Sequence, residues 1–196
     1  MADRENKSYR HKSIRLKNYD YSRPGAYYIT ICTQDKACLL GQVVNRKTVP
    51  SDAGKMVRQI WEEIPSRYPG VRLDAFVLMP NHIHGIIILE RKSSLQDCNQ
   101  RGAESGRPQG YLAAMSLSDI VRRFKTLTTR KYIDGVNQLG WPRFNGKLWQ
   151  QNFYDHIIRK EESLHSIREY IANNPAQWEL DKYNPFSMNR KDNLPA

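Results

Sequence analysis

The sequence predicts an α+β fold, a ferredoxin-like antiparallel sheet with helices packed on it. Five segments rich in β-branched and aromatic residues are interspersed with three whose apolar residues recur at helical spacing. They run strand, strand, helix, two strands, helix, strand, helix, which folds onto one antiparallel sheet carrying helices. At 196 residues the chain is long enough for one full core and short of two.

The first strand is expected over residues 25–34, where Ala26, Tyr27, Tyr28, Ile29, Thr30 and Ile31 follow the Pro24-Gly25 turn signal. A weaker strand over 39–44 is expected to pair with it as a hairpin. Ser51 or Asp52 opens a helix through Met56, Val57, Ile60, Trp61 and Ile64, which Pro65 ends. Strands follow over 71–79 and 82–89, joined at Pro80-Asn81. Residues 91–115 hold mostly Ser, Gln, Gly, Arg and Asn without periodicity, and are expected to form a mobile loop or one that orders on substrate. A second helix begins near Ser118, turning Leu117, Ile120, Val121, Phe124 and Leu127 inward and Arg122, Arg123, Lys125, Arg130 and Lys131 outward. A last strand is expected over 148–158. Glu161 and Glu162 then open a third helix, with acids where the helix dipole favours them, and Leu164, Ile167 and Ile171 form its apolar stripe.

The chemistry concentrates in the fourth strand. In Pro80-Asn81-His82-Ile83-His84-Gly85 the two histidines are two residues apart, so in a strand their side chains share a face while Ile83 packs on the other. Two imidazoles so placed can hold one divalent cation, although two hydrogen-bonded core histidines would read the same way. The third helix ends Tyr170-Ile171-Ala172-Asn173-Asn174-Pro175. Tyr170 and Asn174, four residues apart, lie on one side of it. Pro175 is expected to push Asn174 out of the helical region and free its carbonyl for a nearby cation.

Composition narrows the partners. The net charge of +11 and pI of about 9.7 favour a polyanion, nucleic acid first. The first 23 residues carry seven Lys or Arg against three acids, and read as a basic arm or a solvated tail. The start is too charged for a signal peptide and no apolar run approaches a membrane span, so a cytoplasmic protein is expected. Cys32, Cys38 and Cys98 form no Cys-x-x-Cys pair, which argues against a disulfide framework and a thiolate zinc site. Trp141, Phe144, Trp149, Phe153 and Tyr154 could stack bases or fill the core.

Taken together, residues 79–85 and 170–175 resemble the two signatures of the single-tyrosine HUH transposases, and most closely their REP-associated branch, the RAYT proteins. The likeness extends over most of residues 13–185, including Arg15-Leu16-Lys17-Asn18-Tyr19-Asp20-Tyr21, Trp61-Glu62-Glu63-Ile64-Pro65 and residues 149–159. It implies that His82 and His84 hold a divalent metal, Mg2+ or Mn2+, that Asn174 supplies a third ligand, and that Tyr170 is the nucleophile. Mobile members carry Gln where Asn174 stands, whereas the REP-associated branch commonly has Asn. The implied activity is nicking and strand transfer of single-stranded or hairpin DNA through a 5′-phosphotyrosine, by a monomer or homodimer of the bacterial nucleoid. Arg15, Lys17, Arg122, Arg123, Lys125 and Arg130 are the candidate DNA contacts. The implied organisation is a basic arm over 1–23, a catalytic domain over 24–180 and a tail over 181–196. Two other readings remain open: a zinc hydrolase recruiting His156 or His165 as third ligand, and a non-catalytic hairpin-binding regulator.

Overall fold

The computed structural model describes residues 19–90 and 115–187. Its main sheet has four strands, β1 (Gly25–Cys32), β4 (Val71–Leu78), β5 (His82–Leu89) and β6 (Tyr154–Ile158), in the order β4-β5-β1-β6 with every pair antiparallel. This is the ferredoxin-like arrangement, in which two strand-helix-strand units interleave. The register sets Cys32 opposite His82, Thr30 opposite His84 and Tyr28 opposite His156.

Alternation along the strands divides the sheet into two unlike faces. On one, Tyr27, Ile29, Ile31, Ile83, Ile87 and Leu89 meet α1 (Asp52–Glu62) and α3 (Leu117–Leu139) through Val57, Ile60, Trp61, Ile120, Val121 and Phe124, forming the main core. On the other, Tyr28 and Ile86 pack against Leu164, Ile167 and Ile171 of α4 (Glu161–Asn173). His82 and His84 share that second, smaller face. Gly85, between them and Ile86, has Trp61 pressed so close that a Cβ would lie 2.4 Å from its ring.

The helix boundaries have local causes. Ser51 caps α1 by accepting from the Gly54 N–H at 3.1 Å. Ser116 and Asp119 form a capping box at the start of α3, and Gly140 ends it in the left-handed region at φ 69°. A bulge between Leu73 and Phe76 turns the Asp74 carboxylate to α4, where Arg168 grips it with Nε at 2.8 Å and Nη2 at 2.7 Å.

Several expectations are corrected. The strand expected over 39–44 does not pair with β1. It is β2 (Gly41–Val44), joined to β3 (Lys47–Pro50) in a separate hairpin. Asp35 and Lys36, at φ 54° and 55°, turn the chain away from β1, and Asn45 and Arg46, at 49° and 61°, make the tight turn that pairs β2 with β3. Pro65 does not end the helical stretch, because a short helix α2 (Ile64–Arg67) takes it in its first turn, where no N–H is needed. The last strand is shorter than expected: Trp149 makes a single bridge to Thr33, and regular pairing begins at Tyr154. Tyr19 and Tyr21, counted with the basic arm, pack against the core, where Tyr21 meets Tyr27 and the Tyr27 hydroxyl donates to the Arg23 carbonyl at 2.7 Å. The rest of the arm, with Arg15 and Lys17, lies outside the described residues, as does nearly all of the expected mobile loop.

Candidate functional site

His82 and His84 are buried, at 0% and 1% exposure, and their Nε2 atoms face each other at 3.1 Å. The surrounding hydrogen bonds decide what those nitrogens carry. Asn81 donates from Nδ2 to the carbonyls of Lys36, at 2.9 Å, and Tyr183, at 2.7 Å. Its Oδ1 must therefore accept, at 2.8 Å, from Nδ1 of His82. On His84, Nδ1 lies 2.8 Å from both Thr30 Oγ1 and Tyr28 Oη. The Thr30 hydroxyl donates its hydrogen to Tyr28 Oη at 3.2 Å. His82 thus holds its proton on Nδ1 and turns an Nε2 lone pair toward His84, whose Nδ1 lies within reach of the Tyr28 hydroxyl hydrogen and whose Nε2 faces the same space.

That arrangement fits a cation. Two nitrogens about 2.1 Å from one ion stand roughly 3.0 Å apart at a right angle and roughly 3.4 Å at the tetrahedral angle, and the observed separation lies between. Burial keeps both imidazoles neutral: it pushes His82 well below its ordinary value, with His84 adding to the effect, and His84 down to about 3.

Asn174 stands beside the pair at 2% exposure, with no hydrogen-bond partner for Oδ1. Its backbone corrects one expectation. Asn174 stays helical, at φ −57° and ψ −43°, and the chain continues through Pro175 as a 3₁₀ turn over Asn174–Leu180. The proline is accepted because it falls in the first turn of that new segment. Tyr170, one helical turn before Asn174, has its ring centroid 5.3 Å from that of His84 and 6.3 Å from that of Tyr28, and is 41% exposed. Burial raises its hydroxyl pKa, and the Asp181 carboxylate raises it further.

Asp181 and Tyr183 were missed by sequence reasoning, which assigned them to a tail. Asp181 Oδ2 lies 3.8 Å from His82 Nε2, and the ligand atoms of His82, His84 and Asp181 all fall within 4.8 Å of one another. The Tyr183 ring stands 4.7 Å from that of His82. No periodic spacing links Asp181 to Tyr170 or Asn174, because the 3₁₀ turn between them redirects the chain, so the sequence held no signal for it.

Other candidates stand apart. His156 lines the same cleft as His84 and Tyr170 but lies two strands from His84 and outside that ligand group, and His165 is exposed and paired with Glu169 at 3.2 Å. Neither supplies the third imidazole a zinc hydrolase would need. Helix α3 packs on the face opposite the histidines, so its basic side chains do not flank the site. Arg122 pairs with Asp119 at 2.9 Å, Arg123 lies over the Tyr68 ring, and Lys125 donates to the carbonyls of Gln150, Gln151 and Asn152. Arg130 lines a surface groove with Lys147. Of the candidate stacking aromatics, Trp149 is buried and Trp141, Phe144 and Phe153 pack on the main core, leaving Tyr154 exposed near Tyr28. Among the described residues no helix is long and apolar enough to cross a membrane.

The fold and site define a class: a ferredoxin-like domain with a buried imidazole pair on a central strand, covered by a C-terminal helix that carries a tyrosine. No protein-family model matches the chain. An uncharacterized protein of Haemophilus influenzae is 41% identical over 187 residues, spanning 93% of this chain and 98% of its own length. A second protein of that organism, named "Putative REP-associated tyrosine transposase", is 23% identical over 90% of this chain and 88% of its own. Among solved structures, a REP-associated tyrosine transposase bound to a REP hairpin has the same fold, with a TM-score of 0.53 and 18% identity over 84% of this chain and 74% of that one. The chain belongs to one family with the 41% identical Haemophilus protein, and it shares its fold with the REP-associated tyrosine transposase structure.

Proposed function

We propose that the protein is a metal-dependent enzyme that nicks and rejoins single-stranded, hairpin-forming DNA, with Tyr170 as nucleophile and His82, His84 and Asn174 as metal ligands. The observation that carries this reading is the 5.3 Å approach of the Tyr170 ring to His84, across a helix and a strand 86 positions apart in sequence. Both line one open cleft of about 610 Å³, together with Tyr28, Tyr154, Lys182 and Tyr183. A flexible single strand can be drawn into such a cleft far more readily than a duplex. The solved relative bound to a REP hairpin, and the net charge of +11, support a hairpin DNA substrate.

The chemistry follows from the side chains. A bound divalent cation would withdraw negative charge from a phosphate and help orient it for in-line attack. Tyr170 Oη forms the new bond to phosphorus as the bond to the 3′ oxygen breaks; the phenol gives up a proton and the departing oxygen gains one. One phosphate ester replaces another, so a second 3′-hydroxyl can reverse the step and join a new strand. Neutral imidazoles suit this work, because they leave the cation its charge.

Labelled hairpin oligonucleotide, incubated with Mn2+ and resolved on a denaturing gel, tests the reading. The wild-type chain is expected to give a protein-linked oligonucleotide and Tyr170→Phe none. Undiminished cleavage by Tyr170→Phe overturns the tyrosine mechanism.

A further inference from the structure

Four atoms able to ligate a cation come together at the histidine pair. The two Nε2 atoms face each other at 3.1 Å, and Asn81, accepting from Nδ1, leaves His82 Nε2 with a lone pair. Asn174 Oδ1 is buried without a donor. The fourth is Oδ2 of Asp181, 3.8 Å from His82 Nε2 on a side chain only 5% exposed. Its other oxygen, Oδ1, accepts the Tyr183 N–H at 2.7 Å, which holds the carboxylate with Oδ2 toward His82. The nearby lysines are engaged elsewhere: Lys36 donates to the Lys182 carbonyl at 2.9 Å, and the Lys182 ammonium lies over the Tyr183 ring. A buried carboxylate and a buried imidazole lone pair this close are both well placed for one shared cation.

We propose that Asp181 is a carboxylate ligand of the cation held by His82 and His84, completing a set of two imidazoles, one amide oxygen and one carboxylate. This rests on the metal-dependent reading above and adds to it a ligand outside the two sequence signatures. Two ligands of one cation at bonds of about 2.1 Å stand no more than about 4.2 Å apart, and the Asp181 to His82 separation lies inside that limit. The carboxylate lowers the net charge of the centre by one and leaves coordination positions open for phosphate oxygens. It also lies beyond α4, so the cation fastens the segment after Asn174 to the central strand. Metal binding therefore stabilises the C-terminal part of the fold as well as equipping the cleft.

The test is Mn2+ binding by the full chain, read from the electron paramagnetic resonance signal of free Mn2+ and from the melting temperature with and without the ion. Asp181→Asn keeps an oxygen for the Tyr183 N–H and removes only the charge. It is expected to weaken Mn2+ binding at least tenfold and to shrink the Mn2+-induced rise in melting temperature, while His82→Ala abolishes both. Wild-type affinity in Asp181→Asn, with binding lost in His82→Ala, overturns the proposal and leaves the metal-dependent reading standing. Equal Mn2+ binding by the wild type and His82→Ala overturns both. A second measurement does not depend on the variant folding. In the wild-type chain, Zn2+ is expected to shift the Asp181 carboxylate carbon resonance together with the His82 and His84 ring signals. An unmoved Asp181 signal while the imidazoles shift overturns the proposal.

Discussion

Asn81 and His82, neighbours in the chain, are joined side chain to side chain at 2.8 Å, and this contact decides which nitrogen of His82 is free. The amide is oriented by two carbonyls, one of them 102 residues away at Tyr183. Asn81→Ala is expected to lower Mn2+ affinity about 10- to 100-fold, the usual cost of losing an outer-shell partner. Asn81→Asp keeps an acceptor for Nδ1 and removes both donors. It should hold most of the affinity yet lose stability, about 1–3 kcal/mol for each carbonyl left unpaired, as read by urea denaturation.

The separation of binding from chemistry is checked by His82→Ala. Covalent adduct on hairpin DNA should fall below detection, while salt-dependent DNA affinity changes by no more than a few fold, since charge contacts dominate it. Equal loss of both would assign His82 a folding role.

Two basic residues of α3 should behave differently. Arg130→Ala is expected to weaken hairpin binding and reduce the salt slope by about one, without loss of stability. Lys125→Ala should lower the melting temperature instead, because its ammonium holds the carbonyls of Gln150, Gln151 and Asn152.

The Asp74–Arg168 pair docks α4 on β4 and so sets where Tyr170 sits. The Arg168 side chain, hydrogen-bonded to Asp74, holds its carboxyl below the ordinary range. For a depressed acid the stabilisation is complete above the unfolded value, about 3.9, and is lost as pH falls through the folded one. The stability gap between the wild type and Asp74→Asn should therefore be constant near neutrality and close as pH drops below about 4, in urea melts at a series of pH values.

Gly85→Ala tests how the histidine strand is seated. Its Cβ would meet the Trp61 ring at 2.4 Å, and Trp61 is 2% exposed with no room to retreat. A loss of roughly 1–3 kcal/mol is expected by chemical denaturation.

What was legible in the sequence was what neighbours dictate. The alternation through His82, Ile83 and His84 put both imidazoles on one face, and apolar spacing revealed α1, α3 and α4 with the Ser51 cap. The hairpin of β2 and β3 was misread because its strands are four residues each and its turn depends on positive φ at Asn45 and Arg46, which short alternation does not announce. Asn174 was misread because the rule for residues before proline gave way to a 3₁₀ continuation.

By itself the sequence determined the strand and helix periods, the cationic surface and the sharing of a face by His82 and His84, since each follows from residues a few positions apart. Tertiary structure alone decided that α3 packs behind the sheet, that Asn81 sets the His82 tautomer and that Asp181 reaches the imidazoles. Those outcomes depend on burial and on hydrogen-bond partners as far as a hundred residues away, and no local pattern of residues encodes such distances.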